Sequence, residues 1–268
     1  MSRRVRLDAE LVRRGLARSR EHAGELIAAG RVSVGGQPAK KAATAVGTDA
    51  ALVVAEDADD PGYVSRGGHK LAGALEAFTP RGLVVSGRRC LDAGASTGGF
   101  SDVLLRAGAA SVTAVDVGYG QLAWPLRQDD RVTVLDRTNV RELSVDLLPE
   151  RPQLVVGDLS FISLSLVLSA LREVATDDAD LVLMVKPQFE VGKDKLGKGG
   201  VVRDPGLRAD AVLSVAASAA RLGLGVAGVC ASPLPGPSGN VEYFVWLRAD
   251  APPVDPGVVR HVVAEGPQ

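Results

Sequence analysis

Apolar residues recur along this chain in two different rhythms. Between residues 6 and 14, Leu7, Leu11 and Val12 fall at helical spacing, Gly15 supplies a stop, and Ser19 stands where it can cap a second helix ending at Gly30. Val32-Ser33-Val34 then alternates, Gly35-Gly36 offers a tight turn, and Ala51-Leu52-Val53-Val54 predicts a further short strand. These elements describe a small α+β module over residues 1–60. The acidic run from Glu56 to Asp60, closed by Pro61-Gly62, has linker character, and the linker is placed at 61–66 with a second domain at 67–268.

From about residue 66 helices alternate with apolar strands. Strands are predicted at 88–92, 111–116, 131–135, 153–158, 180–186, 225–231 and 241–248, and helical stretches near 68–78, 99–107, 120–127, 163–174 and 207–222. This predicts an α/β, Rossmann-like doubly wound domain whose seven-stranded parallel sheet is covered on both faces. The proline-rich tail after Arg248 reads as frayed. There is no internal repeat and no long low-complexity tract.

Composition narrows the partners. The 268 residues carry 31 basic and 32 acidic side chains, but residues 1–41 hold 10 basic and 4 acidic, a local net of +6, and the remaining 21 basic and 28 acidic residues give −7. A basic head on an acidic body points to a polyanion. Arg3, Arg4, Arg6, Arg13, Arg14, Arg18, Arg20 and Arg31 can supply phosphate contacts, and Arg can also stack on bases. No run reaches the roughly 18 uncharged apolar residues that a bilayer span needs, and no apolar segment follows Met1-Ser2-Arg3-Arg4, so a cytoplasmic protein without a membrane role is expected. Cys90 and Cys230 have no metal-ligand spacing, nor do His22, His69 and His261, so no metal is predicted.

Chemistry concentrates at strand ends. Asp92-Ala93-Gly94-Ala95-Ser96-Thr97-Gly98-Gly99-Phe100 runs from a strand into a helix, where glycine lets a ligand approach the backbone. Asp92 would repel a pyrophosphate but can accept from an amino group, which favours an amino-acid nucleoside over NAD. Asp116 ends the next strand, 22 positions after Gly94, where a carboxylate can accept both hydroxyls of a ribose. Asp136, closing the third strand, is placed either at an adenine amino group or in solvent. Asp158 and Lys186 end two further apolar strands and should face the same cleft. Glu242 interrupts a strand, and Lys70 begins a helix carrying Leu71, Leu75 and Phe78.

The order Lys70, Asp158, Lys186, Glu242 resembles the tetrad of FtsJ-like ribose 2′-O-methyltransferases. Ser65-Arg66-Gly67-Gly68-His69-Lys70-Leu71, the Asp92 loop, Asp158-Leu159-Ser160-Phe161-Ile162-Ser163, Val185-Lys186-Pro187-Gln188-Phe189-Glu190 and Gly236 to Phe244 are similar to the TlyA (hemolysin A) family over essentially the whole chain. The resemblance implies an S4-type RNA-binding fold at the amino end, carried by Arg6-Leu7-Asp8, Ser19-Arg20 and Gly30-Arg31-Val32. It implies S-adenosylmethionine as cofactor, held by Asp92, Gly94, Ser96, Gly98, Gly99, Phe100, Asp116 and Asp136. The reaction implied is 2′-O-methylation of cytidine in ribosomal RNA of the small subunit (16S), the large subunit (23S) or both. Ribosomal RNA or ribosomal subunits are the expected partners, met by Arg4, Arg6, Arg14, Arg18, Arg20 and Arg31; no protein partner is predicted.

A 2′-hydroxyl keeps its proton at neutral pH, so the site must align it and help remove that proton. Lysine titrates near 10.4 and serves as a base only where its charged form is disfavoured. Lys186 is assigned that task with Lys70 as the neighbouring cation, Asp158 orienting Lys186, and Glu242 fixing Lys70 or the ribose. Three other readings compete. A nicotinamide oxidoreductase is opposed by Asp92 and the lysines, a non-catalytic RNA-binding assembly factor is separated by assaying methyl transfer, and a pore-forming toxin is opposed by the lack of a membrane-spanning run.

Overall fold

The structure is a computed structural model describing residues 4–17, 19–55, 61–236 and 238–267. Arg3, Arg18 and the acidic run 56–60 lie outside the described residues. The chain divides into two compact units, Met1–Ser65 and Arg66–Gln268.

The first unit contains β1 (Arg4–Arg6), α1 (Leu7–Arg13), α2 (Arg20–Ala28), β2 (Val32–Val34), β3 (Gln37–Pro38), β4 (Ala45–Gly47) and β5 (Leu52–Val54). β1 pairs antiparallel with β4, and β2 lies between β3 and β5. Leu7, Leu11, Leu26, Ile27, Val32 and Val46 form its core. Ser19 caps α2 as its position predicts, its hydroxyl accepting from the His22 backbone N–H at 3.1 Å. β1 and β4 escape the sequence pattern because each spans three residues with one apolar side chain inside, too few to display a period.

The second unit runs α3 (Arg66–Phe78), β6 (Arg89–Ala93), α4 (Gly99–Arg106), β7 (Ser111–Val115), α5 (Trp124–Arg127), β8 (Val132–Leu135), β9 (Leu154–Gly157), α6 (Leu168–Val174), β10 (Asp180–Val185), α7 (Pro187–Glu190), α8 (Pro205–Ala220), β11 (Gly225–Ala231), β12 (Tyr243–Arg248) and α9 (Pro256–Glu265). All seven predicted strands form one sheet, ordered β11-β12-β10-β9-β6-β7-β8. Leu154, Val155 and Val156 are wholly buried, as are Leu181, Val182 and Leu183, which accounts for unbroken apolar runs where a one-sided sheet would alternate.

Three sequence expectations need correction. The sheet is not wholly parallel, since β12 runs antiparallel to both β10 and β11. Apolar content does not record direction, but the helix-free connection 232–242 does, being too short for the crossover that parallel neighbours require. The stretch 120–127 is helical only from Trp124, because Pro125 belongs in a first turn and fixes the start there. The tail after Arg248 is not frayed. Asp255 caps α9 by accepting from the Gly257 backbone N–H at 2.7 Å, Pro256 occupies the first turn, and Val259 and Val263, one helical turn apart, are buried in the main core.

The order of strands reverses between β6 and β9, so the chain leaves those two in opposite directions and opens a crevice at their carboxyl ends. If α9 belongs to the core, Val259→Ala and Val263→Ala should each lower stability by about 1 to 3 kcal/mol, read from urea-unfolding midpoints. Native midpoints in both variants would show that the tail packs against nothing.

Candidate active site

A cavity of about 470 Å³ opens at the carboxyl ends of β6, β7 and β9, walled in part by Gly94, Ser96, Asp116, Gln121, Asn139 and Asp158. Its size suits a nucleoside-sized ligand, for which roughly 300 to 1,000 Å³ is usual. Gly94 has φ of +84°, and a Cβ there would stand 3.0 Å from the Asp158 carbonyl oxygen, so the bend between β6 and α4 admits only glycine at this position. Ser96 holds a left-handed conformation, φ +49°, and its N–H donates to Asp116 Oδ2 at 2.8 Å. Asp116 Oδ1 accepts from the Gly118 N–H at 2.7 Å, so its carboxylate is fixed on the wall with a lone pair on each oxygen to spare.

The rest of the glycine loop does different work. Gly98, φ +100°, lies where a Cβ would stand 2.2 Å from Leu126 Cδ1, so it is glycine in order that α5 can pack close. Gly99 is buried in the first turn of α4, and Phe100 packs on Phe244 at 6.0 Å between ring centroids. Asp136 is not among the residues that line the cavity; its Oδ2 accepts from Arg127 at 2.8 Å and from the Gly120 N–H at 3.2 Å, and Arg127 lowers its pKa. Asn139 and Gln121 occupy the wall instead. Neither carries a sequence signal that separates it from ordinary loop polarity.

Asp92 is fully buried at the end of β6. Its Oδ2 accepts from the Ser101 hydroxyl at 2.7 Å, and its Oδ1 has no hydrogen-bond partner. Burial pushes its pKa up to about 7; the Ser101 hydrogen bond opposes this and the nearby Asp158 and Asp116 carboxylates add to it.

Two ion pairs stand on the same sheet edge. Lys70 Nζ on α3 donates to Glu242 Oε2 at 2.5 Å, with both residues buried. Lys186 Nζ lies 2.6 Å from Asp158 Oδ1 and donates to the Ser160 hydroxyl oxygen at 2.8 Å. The Asp158 contact is electrostatic, lacking the alignment of a hydrogen bond. β10 and β12 pair with Val185 opposite Tyr243, so Lys186 and Glu242 are the next pair along that antiparallel ladder. β9 and β10 run parallel, which brings Asp158 to the same edge. The four residues singled out from the sequence are therefore brought together beside the Gly94 bend.

In the first unit, buried Asp8 receives Arg6 Nη2 at 2.8 Å and Arg20 Nη2 at 2.9 Å on one carboxylate oxygen, and Arg6, aided by Arg20, holds that carboxyl well below the usual range. Arg13 and Arg14 both bind buried Glu10, lowering its pKa to about 2. Arg14 also donates to the Ala50 and Thr48 carbonyls at 2.7 and 2.9 Å, so its guanidinium closes the module and faces inward. Arg31 donates to the Ala55 carbonyl, whereas Arg4, Arg6 and Arg20 are exposed. Among the described residues no helix is long and apolar enough to cross a membrane, and no cluster of three or more His, Cys, Asp or Glu could hold a metal.

Similarity to known proteins is found at several levels. Residues 63–249 match the FtsJ-like methyltransferase model, and residues 5–52 match the S4 domain model. The 16S/23S rRNA (cytidine-2′-O)-methyltransferase TlyA of Mycobacterium tuberculosis is 64% identical over 92% of this chain and 91% of its own. Hemolysin A of Brachyspira hyodysenteriae is 36% identical over 90% of this chain and 98% of its own. A hemolysin structure from Streptococcus thermophilus, 38% identical, superposes with a TM-score of 0.78 over 99% of this chain and 96% of that one. The chain thus belongs to the FtsJ-like methyltransferase family, in the branch that carries an S4 domain ahead of the methyltransferase domain.

Proposed function

We propose that this enzyme methylates the ribose 2′-oxygen of cytidine in ribosomal RNA, in the cytoplasm. Residues 1–60 serve to capture RNA, 61–66 as a linker and 67–268 as the methyltransferase domain. The observation that carries this reading is the pair of buried lysine–carboxylate contacts beside the Gly94 bend. The relatives named above supply the substrate class.

The cavity fits S-adenosylmethionine by its chemistry as well as its size. Carboxylates at Asp116 and Asp158 suit a ligand bearing cationic groups and ribose hydroxyls, and oppose a pyrophosphate. Asp116 would hold the ribose, Gly94 and Ser96 would admit the ligand to the backbone, and Asn139 and Gln121 would meet its remaining polar atoms. Asp92 would act from behind the wall by fixing α4 through Ser101. The bound cofactor supplies a methyl group already activated by a sulfonium charge.

The chain's own residues handle the hydroxyl. Lys186 accepts its proton at Nζ, Asp158 holds that nitrogen at the cavity, and Lys70 is tied to Glu242, the residue opposite Lys186 on the ladder. General-base help contributes about 10²- to 10⁴-fold, while alignment of two reactants can supply roughly 7 to 11 kcal/mol, so positioning dominates. Removing Glu242 would leave buried Lys70 unpaired at a cost of about 3 to 5 kcal/mol, confusing folding with chemistry. Asp158 is partly exposed, which makes Lys186 the cleaner probe.

Lys186→Ala should abolish transfer of a radiolabelled methyl group to unmodified ribosomal RNA, while calorimetry still records cofactor binding; retained turnover removes Lys186 from the mechanism. Arg6→Ala and Arg20→Ala should each weaken ribosomal RNA binding and reduce the salt slope by about 1, whereas Arg14→Ala should lower the melting temperature of the module. Equal salt slopes in the native and Arg20→Ala proteins would remove that arginine from the interface. The Asp92 carboxyl keeps its proton in the folded protein to about pH 7, while the unfolded chain releases it near 3.9, so its contribution to stability is present below about pH 4 and lost as pH rises through about 7. Asp92→Asn should therefore raise the melting temperature at about pH 8, with the gain shrinking towards about pH 5.5; a gain independent of pH would show that Asp92 does not titrate in this range.

A further inference from the structure

We propose that Ser160 is a positioning residue that aims the nitrogen of Lys186. The proposal rests on the reading of Lys186 as proton acceptor and deepens it. A lysine nitrogen ends a flexible four-carbon stem, so the backbone at the end of β10 does not by itself decide where its lone pair points. The neutral amine has two N–H bonds and one lone pair in a tetrahedral arrangement. Two acceptors are enough to fix it.

Asp158 cannot supply both constraints. Its Oδ1 lies 2.6 Å from Nζ but outside hydrogen-bond alignment, and such a contact sets a separation without setting a rotation. The Ser160 contact is aligned, with Nζ donating to Oγ at 2.8 Å across 26 residues of sequence. Lys186 itself is 7% exposed, so bulk water cannot substitute freely for that acceptor. With one N–H bond directed at Ser160 and the separation set by Asp158, rotation about the Cε–Nζ bond is restricted beside the cavity wall on which both residues stand. When the hydroxyl O–H bond breaks, its electron pair stays on oxygen and the proton forms a third N–H bond on Nζ. The resulting ammonium keeps its hydrogen bond to Ser160 and gains attraction to the Asp158 carboxylate.

Ser160 is separate from the structural serines that follow it. Ser163 bonds Ser165 and donates to Glu190 at 2.6 Å, closing the turn before α6 onto α7. Ser160 is exposed, and its hydroxyl is turned to Lys186.

The test uses the full chain with Ser160→Ala, Ser160→Thr and Lys186→Ala, measuring single-turnover methyl transfer to ribosomal RNA, cofactor affinity by calorimetry and RNA affinity by filter binding. Ser160→Ala should slow single turnover by about 10- to 100-fold, a part of the general-base contribution, with both affinities within about twofold of native. Threonine, which retains the hydroxyl, should recover most of the rate. A native rate in Ser160→Ala, a threonine variant as slow as alanine, or affinities that fall in step with the rate would each overturn the proposal. Lys186→Ala separates the two layers. If it is inactive while Ser160→Ala turns over normally, only the role of Ser160 is lost; if it turns over normally, the assignment of Lys186 as base goes with it.

Discussion

A charge withdrawn from water must meet its opposite, and the edge of this sheet is built around that requirement. Lys70, Lys186 and Glu242 are each less than a tenth exposed, and an unpaired ion in such a place carries a penalty of several kcal/mol. Each pair joins elements that are far apart in sequence: Lys70 on α3 reaches Glu242 across 172 residues, and Lys186 after β10 reaches Asp158 after β9. The contact that ties α3 to the start of β12 thus also forms one of the two ion pairs at this edge. Hydrophobic residues of equal volume often pack such an edge at no greater cost, so these ion pairs are not accounted for by stability alone.

Antiparallel β12 is what makes the constellation possible. In a parallel strand Glu242, which immediately precedes the first residue of β12, would sit at the amino edge of the sheet. Because β12 is reversed, its entry lies beside the exits of β9 and β10. The sequence shows the apolar run and the glutamate that interrupts it, but a run of Val, Tyr, Phe and Trp reads the same in either direction. Topology was legible only in the connection 232–242, which is too short and too rich in proline and glycine to contain a crossover helix.

The same distinction separates what was readable in the glycine loop from what was not. Its place between β6 and α4 follows from composition and period. The division of labour among its glycines does not, because Gly94 faces the carbonyl of Asp158 and Gly98 faces the side chain of Leu126, contacts made by residues 64 and 28 positions away. Asp116 could be placed from its strand end, and its carboxylate stands on the cavity wall. Asp136 occupies an equivalent strand end, yet it does not line the cavity, and Arg127, nine residues before it, binds its carboxylate. Strand-end position tells which carboxylates are eligible for a site, but not which of them line the cavity. Two short strands and the helix α9 were obscured for a related reason, since three residues carry no period and a proline-rich approach hides the cap that follows it.

Net charge is an equally incomplete guide in the first unit. A surplus of six positive charges over residues 1–41 suggests a loose cationic surface. The structure instead sets Arg6 and Arg20 on one oxygen of Asp8, and Arg13 and Arg14 on Glu10. Each carboxylate subtracts a charge, but it also removes rotamer freedom from two long side chains before any RNA arrives. Ordering such a side chain at an interface costs about 0.5 to 1.5 kcal/mol, and a guanidinium already held in its plane loses less on binding a phosphate. Arg6 and Arg20 remain more than half exposed while so held. Buried acids beneath exposed arginines thus exchange a little electrostatic attraction for a surface whose geometry is set in advance.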